Sequence, residues 1–66
     1  MPSSVIALIQ YFSSTAVLRV IFVSGKIYDY KRVPAEIYQG MKNAVSKGRY
    51  LDKYIKGNYE FERIID

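Results

Sequence analysis

The side chains best suited to binding are basic, and they lie close together in one segment. Residues 42–56 contain five lysines and arginines but one acid, so this segment carries the net charge of +4 found for the whole chain. The basic residues are Lys42, Lys47, Arg49, Lys53 and Lys56, and the acid is Asp52. Concentrated positive charge suits a polyanion such as RNA, and it also serves as a solvated face that keeps a small protein soluble.

The start of a predicted helix adds to this charge. Ser46 is placed as the N-cap of a helix from Lys47 to Lys56, so that the free N–H groups of the first turn point outward at the positive end of the helix dipole. Gly48 would let an anion approach the backbone, with Lys47 and Arg49 beside it. This pattern predicts a phosphate site, and an ordinary helix cap is the alternative.

The same helix carries a basic stripe. On a regular helical wheel Arg49, Lys53 and Lys56 are spaced i, i+4 and i+7 and share one side. The opposite half is occupied by apolar and aromatic residues, namely Tyr50, Leu51, Tyr54 and Ile55. Such a stripe is suited to the phosphate backbone of a nucleic acid, which supplies affinity without reading sequence.

Catalysis has little support in the composition. The chain contains no histidine, cysteine or tryptophan, and its carboxylates are scattered, which leaves no base beside a nucleophile and no zinc ligand set. We therefore predict no catalytic residue, no metal and no cofactor, and a protein that is not an enzyme. The lack of cysteine favours the cytoplasm. The uncharged first eighteen residues are too often interrupted by polar side chains to insert in a membrane.

Sixty-six residues are enough for one domain, residues 1–66, and its first half has the composition of β-strands. Runs of aliphatic and aromatic residues predict strands at about 4–12, 16–23 and 26–31. Polar Ser13-Ser14-Thr15 separates the first two, and Ser24-Gly25 separates the last two. These signals predict a three-stranded antiparallel meander.

The length of the second turn decides which side chains share a face. A loop of more than Ser24-Gly25 places Tyr28 and Tyr30 beside Val20 and Phe22, and brings Asp29 next to Arg19 on the other face. We favour this register because it gathers one apolar surface. The two tyrosines are then core residues, although a tyrosine pair on a sheet is also the platform on which single-stranded bases stack.

Two helices follow the strands. Val33-Pro34-Ala35-Glu36 is a helix start, and the apolar periodicity predicts a helix at about 34–45, with Gly40 permitting a close packing contact. A second helix at about 47–56 would end at Gly57. The fold class is therefore α+β, with both helices on one sheet face. The tail from Tyr59 to Asp66 either adds an extended segment or lies across the core.

The other sheet face would stay uncovered in such a two-layer monomer. Its predicted apolar residues are Val17, Ile21, Val23 and Ile27. Exposed apolar faces of this kind are typical of interaction sites. The alternative to polyanion binding is therefore a protein–protein or self-association module, for example a homodimer.

Several short motifs, taken in order, resemble the KTSC domain, a small module found at the C-terminus of some lysyl-tRNA synthetases and as a stand-alone protein. They are Ser3-Ser4 with Ile6 and Ile9, Ser24-Gly25, Tyr28-Asp29-Tyr30, Val33-Pro34 with Tyr38, and Ser46-Lys47-Gly48-Arg49-Tyr50 with Ile55 and Tyr59. The resemblance covers nearly the whole chain and implies a stand-alone form of that module. Because the family is uncharacterised, it implies RNA binding only through the attachment to a synthetase.

Overall fold

The polypeptide forms a four-stranded antiparallel sheet with two helical segments packed on one face. The computed structural model describes residues 5–65. The strands are adjacent in chain order and are β1 (Ile6–Phe12), β2 (Val17–Phe22), β3 (Ile27–Tyr30) and β4 (Phe61–Ile65). The α+β class and the antiparallel meander are confirmed, but the predicted number of three strands is wrong. The predicted start of the first strand at residue 4, like Ser3 and Ser4, lies outside the described residues.

The additional strand is the C-terminal tail. β4 pairs with β3, so that Phe61 lies opposite Tyr30, and the Phe61 ring stacks on Tyr28 with the ring centroids 5.4 Å apart. All five residues of β4 are exposed. An edge strand with little burial does not need a continuous apolar pattern, which is why the sequence left this segment undecided.

The strands are slightly shorter than predicted because the residues at their predicted ends belong to the turns. Ala16, predicted to open the second strand, has a φ of 56° and belongs to the first turn. Val23 lies beyond β2, in a loop where Gly25 has a φ of 98° and the Phe22 N–H donates to the Lys26 carbonyl at 2.8 Å. The hairpin between β2 and β3 therefore has the longer loop.

The favoured register is confirmed. Leu18 lies opposite Tyr30 and Val20 opposite Tyr28, on the face that carries the helices. On the other face the Arg19 Nε donates to Asp29 Oδ1 at 2.8 Å, and the Arg19 Nη2 donates to Asp29 Oδ2 at 3.0 Å. This side-chain hydrogen bond raises the pKa of Arg19. The Asp29 side chain is only 13% exposed, so the pair is less hydrated than expected.

The helical half departs further from regular geometry. Helix α1 covers Ala35–Lys42, shorter than the predicted 34–45, and Pro34 is its N-cap residue. Helix α2 covers only Lys47–Tyr50 and continues as a π-helical turn, Leu51–Ile55, where a helix over 47–56 was predicted. The Lys56 N–H donates to the Leu51 carbonyl at 2.8 Å, the i to i+5 bond of a π-helix. Gly57, with a φ of 82°, ends the segment as predicted.

The core lies between the sheet and these helices. Tyr30 is 2% exposed at its centre, and this burial raises the pKa of its hydroxyl. Tyr28 is half-buried. The other buried residues are Ile6, Leu18, Val20, Val33, Met41, Leu51 and Ile55. The prediction that Tyr30 is a core residue is confirmed, whereas Tyr28 lies at the border of the core.

Candidate nucleic-acid interface

Tyr50, the last residue of α2, packs this helix against α1. A β-carbon on Gly40 would lie 2.8 Å from Cζ of Tyr50 and still closer to its hydroxyl, so the tyrosine occupies space that any other residue at position 40 would fill. This confirms the close packing contact predicted for Gly40. The Tyr50 ring therefore has a fixed position against the neighbouring helix.

The π-helical turn changes which residues of the second helix face the core. Leu51 and Ile55 are buried as expected, but Tyr54 is 44% exposed. Its predicted place in the apolar half was wrong, because the wheel assumed 3.6 residues per turn and a π-turn closes over one additional residue. Tyr54 thus becomes an aromatic ring on the surface.

The exposed ring lies in an open groove of about 350 Å³ beside the segment that joins the two helices. We call it the tyrosine groove; its lining is Ala44, Val45, Ser46, Arg49, Tyr50, Lys53 and Tyr54. The Tyr50 and Tyr54 ring centroids are 4.7 Å apart with their planes inclined by 43°. None of the described residues that line the groove is acidic.

The structure brings together two of the three predicted stripe residues. Arg49 and Lys53 both line the tyrosine groove, and the Lys53 ammonium lies 5.4 Å from the centre of the Tyr54 ring. Lys56 lies outside the groove, where its Nζ is 3.2 Å from Asp52 Oδ1. The cations that remain available to a ligand beside the groove are therefore Arg49 and Lys53.

The predicted helix cap is present, but the surroundings of the cap are tighter than the sequence suggested. Ser46 Oγ accepts a hydrogen bond from the Arg49 N–H at 3.3 Å, which confirms the N-cap. A β-carbon on Gly48 would lie 3.3 Å from Val5, and Lys47 is half-buried. Val5 thus occupies the space beside Gly48 into which a β-carbon would point. The phosphate site at this point stays a prediction.

The predicted self-association residues lie on or beside the sheet face opposite the helices. Ile21 is opposite Ile27, and both are half-buried, as is Val17. Val23 follows β2 and is 66% exposed. The sequence reasoning missed Leu8, which is opposite Ile21 and 51% exposed. The register shift between Ile6 and Leu8 breaks the alternation along β1, so strict alternation from buried Ile6 would have placed Leu8 on the core face.

Two further features concern residues 5–65 only. No three acidic side chains in this range come together in a way that could hold a metal ion. No helix in it has the length and apolar character needed to span a bilayer.

Comparison with known proteins decides the family. The sequence model of the KTSC domain matches residues 2–59, which is most of the chain. The chain belongs to the KTSC domain family. A crystal structure of a KTSC domain protein from Yersinia pestis is similar with a TM-score of 0.86 and 37% identity, covering 97% of this chain and 90% of that one.

KTSC domains also occur within larger proteins. The chain is 39% identical over 61 residues to a lysine–tRNA ligase of Nostoc punctiforme and 40% identical over 55 residues to that of Trichormus variabilis. These matches cover 92% and 83% of this chain, but the chain spans only about a tenth of the ligases' length. An uncharacterised protein of Stutzerimonas stutzeri is 35% identical over 63 residues, which is 94% of this chain and 89% of that protein. The KTSC domain is thus a small domain of unassigned function that is associated with lysine–tRNA ligases.

Proposed function

We propose that this KTSC domain is a cytoplasmic, non-enzymatic accessory module that binds RNA weakly, through the negative charge of its phosphates. The observation that carries the proposal is that Arg49 and Lys53 line one groove, and that the described part of the chain contributes no acidic residue to its lining. The relatives support it, because the lysine–tRNA ligases that contain a similar segment are named for a tRNA substrate. Contacts from these cations to phosphates would give affinity without sequence preference.

The three stripe residues should not contribute equally. Lys56 is partly neutralised by Asp52 at 3.2 Å, whereas the residues within 5–65 that line the groove beside Arg49 and Lys53 include no acid. An ion pair between exposed side chains is weak, so Lys56 can still leave Asp52 for a phosphate, but with a smaller gain. Arg49 and Lys53 are therefore the principal contacts.

Replacement of Arg49 and Lys53 together by glutamine is expected to weaken RNA binding for all sequences. Three phosphate contacts on single-stranded RNA correspond to a log–log salt slope of about −2, at about −0.7 for each contact, and the double variant should reduce this to about −0.7. Lys56→Gln alone should change the slope less than either single replacement in the groove. Fluorescence anisotropy with a labelled oligonucleotide at several salt concentrations measures these slopes.

The matched control removes the same charge elsewhere. Lys26 lies in the loop between β2 and β3, Lys31 directly follows β3, and neither lines the groove. Lys31 Nζ is 3.5 Å from Glu62 at the surface. Lys26→Gln with Lys31→Gln should leave the slope nearly unchanged. Equal losses in the two double variants, or no binding by the native domain at low salt, would contradict the proposed interface.

A second candidate function is self-association through the uncovered sheet face. The observation that favours it is the set of apolar residues on that face. Exposed Leu8 lies opposite Ile21. Ile65, which is 52% exposed, lies opposite Ile27. No element within residues 5–65 covers them, and the buried cluster lies on the other side of the sheet. Two copies related by a twofold axis would bury this face against itself.

Leu8→Lys and Ile21→Lys are each expected to convert such a dimer into a monomer without unfolding the subunit. A lysine at the centre of a buried apolar interface is left without a partner, whereas on a monomer it stays hydrated. Sedimentation velocity at high micromolar concentration measures the change, and Val45→Lys, on the helical side, is the control. A native protein that is strictly monomeric at these concentrations would exclude this function.

A further inference from the structure

We propose that the tyrosine groove binds one unstacked base of a single-stranded RNA against the ring of Tyr54, with Arg49 and Lys53 on the flanking phosphates. This inference rests on the proposed function and names the contact that phosphate binding alone would not use. It assigns a role to Tyr54, which the sequence pattern had placed on the apolar half of the second helix.

The first argument is the exposure of a large ring on a rigid support. Tyr54 is 44% exposed, while Tyr50 beside it is held against Gly40 of α1. The side chain of Asn58 also donates to the Tyr54 carbonyl at 2.9 Å, which fixes the backbone at the end of the π-turn. The Tyr54 ring itself packs against the Tyr50 ring, with the ring centroids 4.7 Å apart, so it loses less freedom when a base stacks on it than an unpacked ring would.

The second argument is the shape and lining of the groove. A volume of about 350 Å³ is at the lower end of ligand pockets, and the groove is open to solvent. It therefore suits a flat group that belongs to a continuing chain better than an enclosed small molecule. Val45, a fully exposed apolar residue, forms part of its wall together with Ala44.

The third argument is charge. Lys53 places its ammonium 5.4 Å from the centre of the Tyr54 ring, a cation–π contact that is weaker at an exposed site than base–aromatic stacking. A base can therefore displace the ammonium, which is then free to reach the adjacent phosphate. A nucleotide supplies both a flat ring and an anion in one repeating unit, and this combination matches a groove with two cations and two tyrosines.

The experiment compares two labelled oligomers of equal length, an eight-nucleotide oligouridylate and an abasic oligomer with the same phosphates. The native domain should bind the oligouridylate about 5- to 150-fold more tightly, which is the effect of stacking one base. Tyr54→Ala should abolish the difference between the two oligomers, so that the oligouridylate binds no more tightly than the abasic oligomer. Tyr54→Phe should behave as the native domain, since the ring is kept.

Salt dependence separates this inference from the proposed function. Tyr54→Ala should leave the salt slope unchanged, whereas Arg49→Gln with Lys53→Gln should flatten it for both oligomers. If the two oligomers bind equally tightly and only the charge variant weakens them, RNA is bound as a polyanion and the stacking inference is overturned. If the charge variant has no effect, or if neither oligomer binds, both proposals fall.

A measurement on the native domain guards against misfolding of the variants. Stacking of a base on Tyr54 shifts the ring-proton resonances of this residue during titration with the oligouridylate, while the abasic oligomer leaves them in place. Shifts confined to other tyrosines, such as Tyr28, would overturn the assignment of the groove.

Discussion

Replacement of Tyr30 by alanine is expected to unfold the domain. Tyr30 is 2% exposed, lies opposite Leu18 in the sheet, and has the Phe61 ring 5.5 Å away on the neighbouring strand. Deletion of a buried aromatic ring costs about 3–5 kcal/mol. A chain of 66 residues has a total stability of about 3–10 kcal/mol at 0.05–0.15 kcal/mol per residue, so the loss removes a large part of it. Urea unfolding followed by circular dichroism measures the effect.

Two matched variants make this test specific. Tyr28→Ala removes the same ring from a half-buried position and should therefore cost less than Tyr30→Ala. Equal costs, or a Tyr30→Ala variant with native stability, would contradict the assignment of the core.

Tyr30→Phe keeps the ring and removes the ionisable group. Because burial raises the pKa of Tyr30 above its usual 10.0, the unfolded chain releases this proton at lower pH than the folded chain does. Its contribution to stability is therefore complete below about pH 10 and is lost as the pH rises through the higher pKa of the folded state. The native domain should lose more stability than Tyr30→Phe over this alkaline range.

Gly40→Ala is expected to destabilise the domain, although the same change in most helices stabilises it. Alanine gains about 1 kcal/mol over glycine inside a helix. Here its β-carbon would lie 2.8 Å from Tyr50 Cζ, and overpacking of this kind costs about 1–3 kcal/mol. Since the clash is with a ring that also lines the tyrosine groove, RNA binding should weaken together with stability.

A double-variant cycle separates the two effects. In a Tyr50→Ala background the obstructing ring is absent, so Gly40→Ala should become stabilising by about 1 kcal/mol. The sign of the Gly40→Ala effect thus depends on Tyr50. A destabilisation of equal size in both backgrounds would mean that Gly40 is required for another reason.

The sequence predicts the strand register well, because a wrong register would turn many apolar side chains from the core to the solvent at once. A shift of one residue between β2 and β3 would turn Tyr30 away from Leu18 and separate Arg19 from Asp29, so the apolar pattern determined the register. The Ser46 cap and the Gly57 stop were also predictable, because each solves a local hydrogen-bonding or backbone problem.

The features that were missed have no strong local pattern. β4 is exposed along its whole length, so Phe61 alternates with charged residues and gives no sign that its ring stacks on Tyr28. The π-turn at Leu51–Ile55 inserts one residue into a helix without a sequence signal. It leaves Tyr54 on the surface, and Lys56 lies outside the groove that Arg49 lines. The basic segment of the candidate interface was therefore predictable, but the groove beside it was not.

The position of β4 has a consequence for the order in which the chain folds. β1 with β2, and β2 with β3, pair across short turns, whereas Tyr30 and its partner Phe61 are separated by both helices. Because closing a long loop costs more chain entropy than closing a short one, we expect the two hairpins to form early and β4 to dock last. The β4 amides should then gain protection from hydrogen exchange only after the helices have packed. Protection of the edge strand would therefore indicate that the helices have already packed on the sheet.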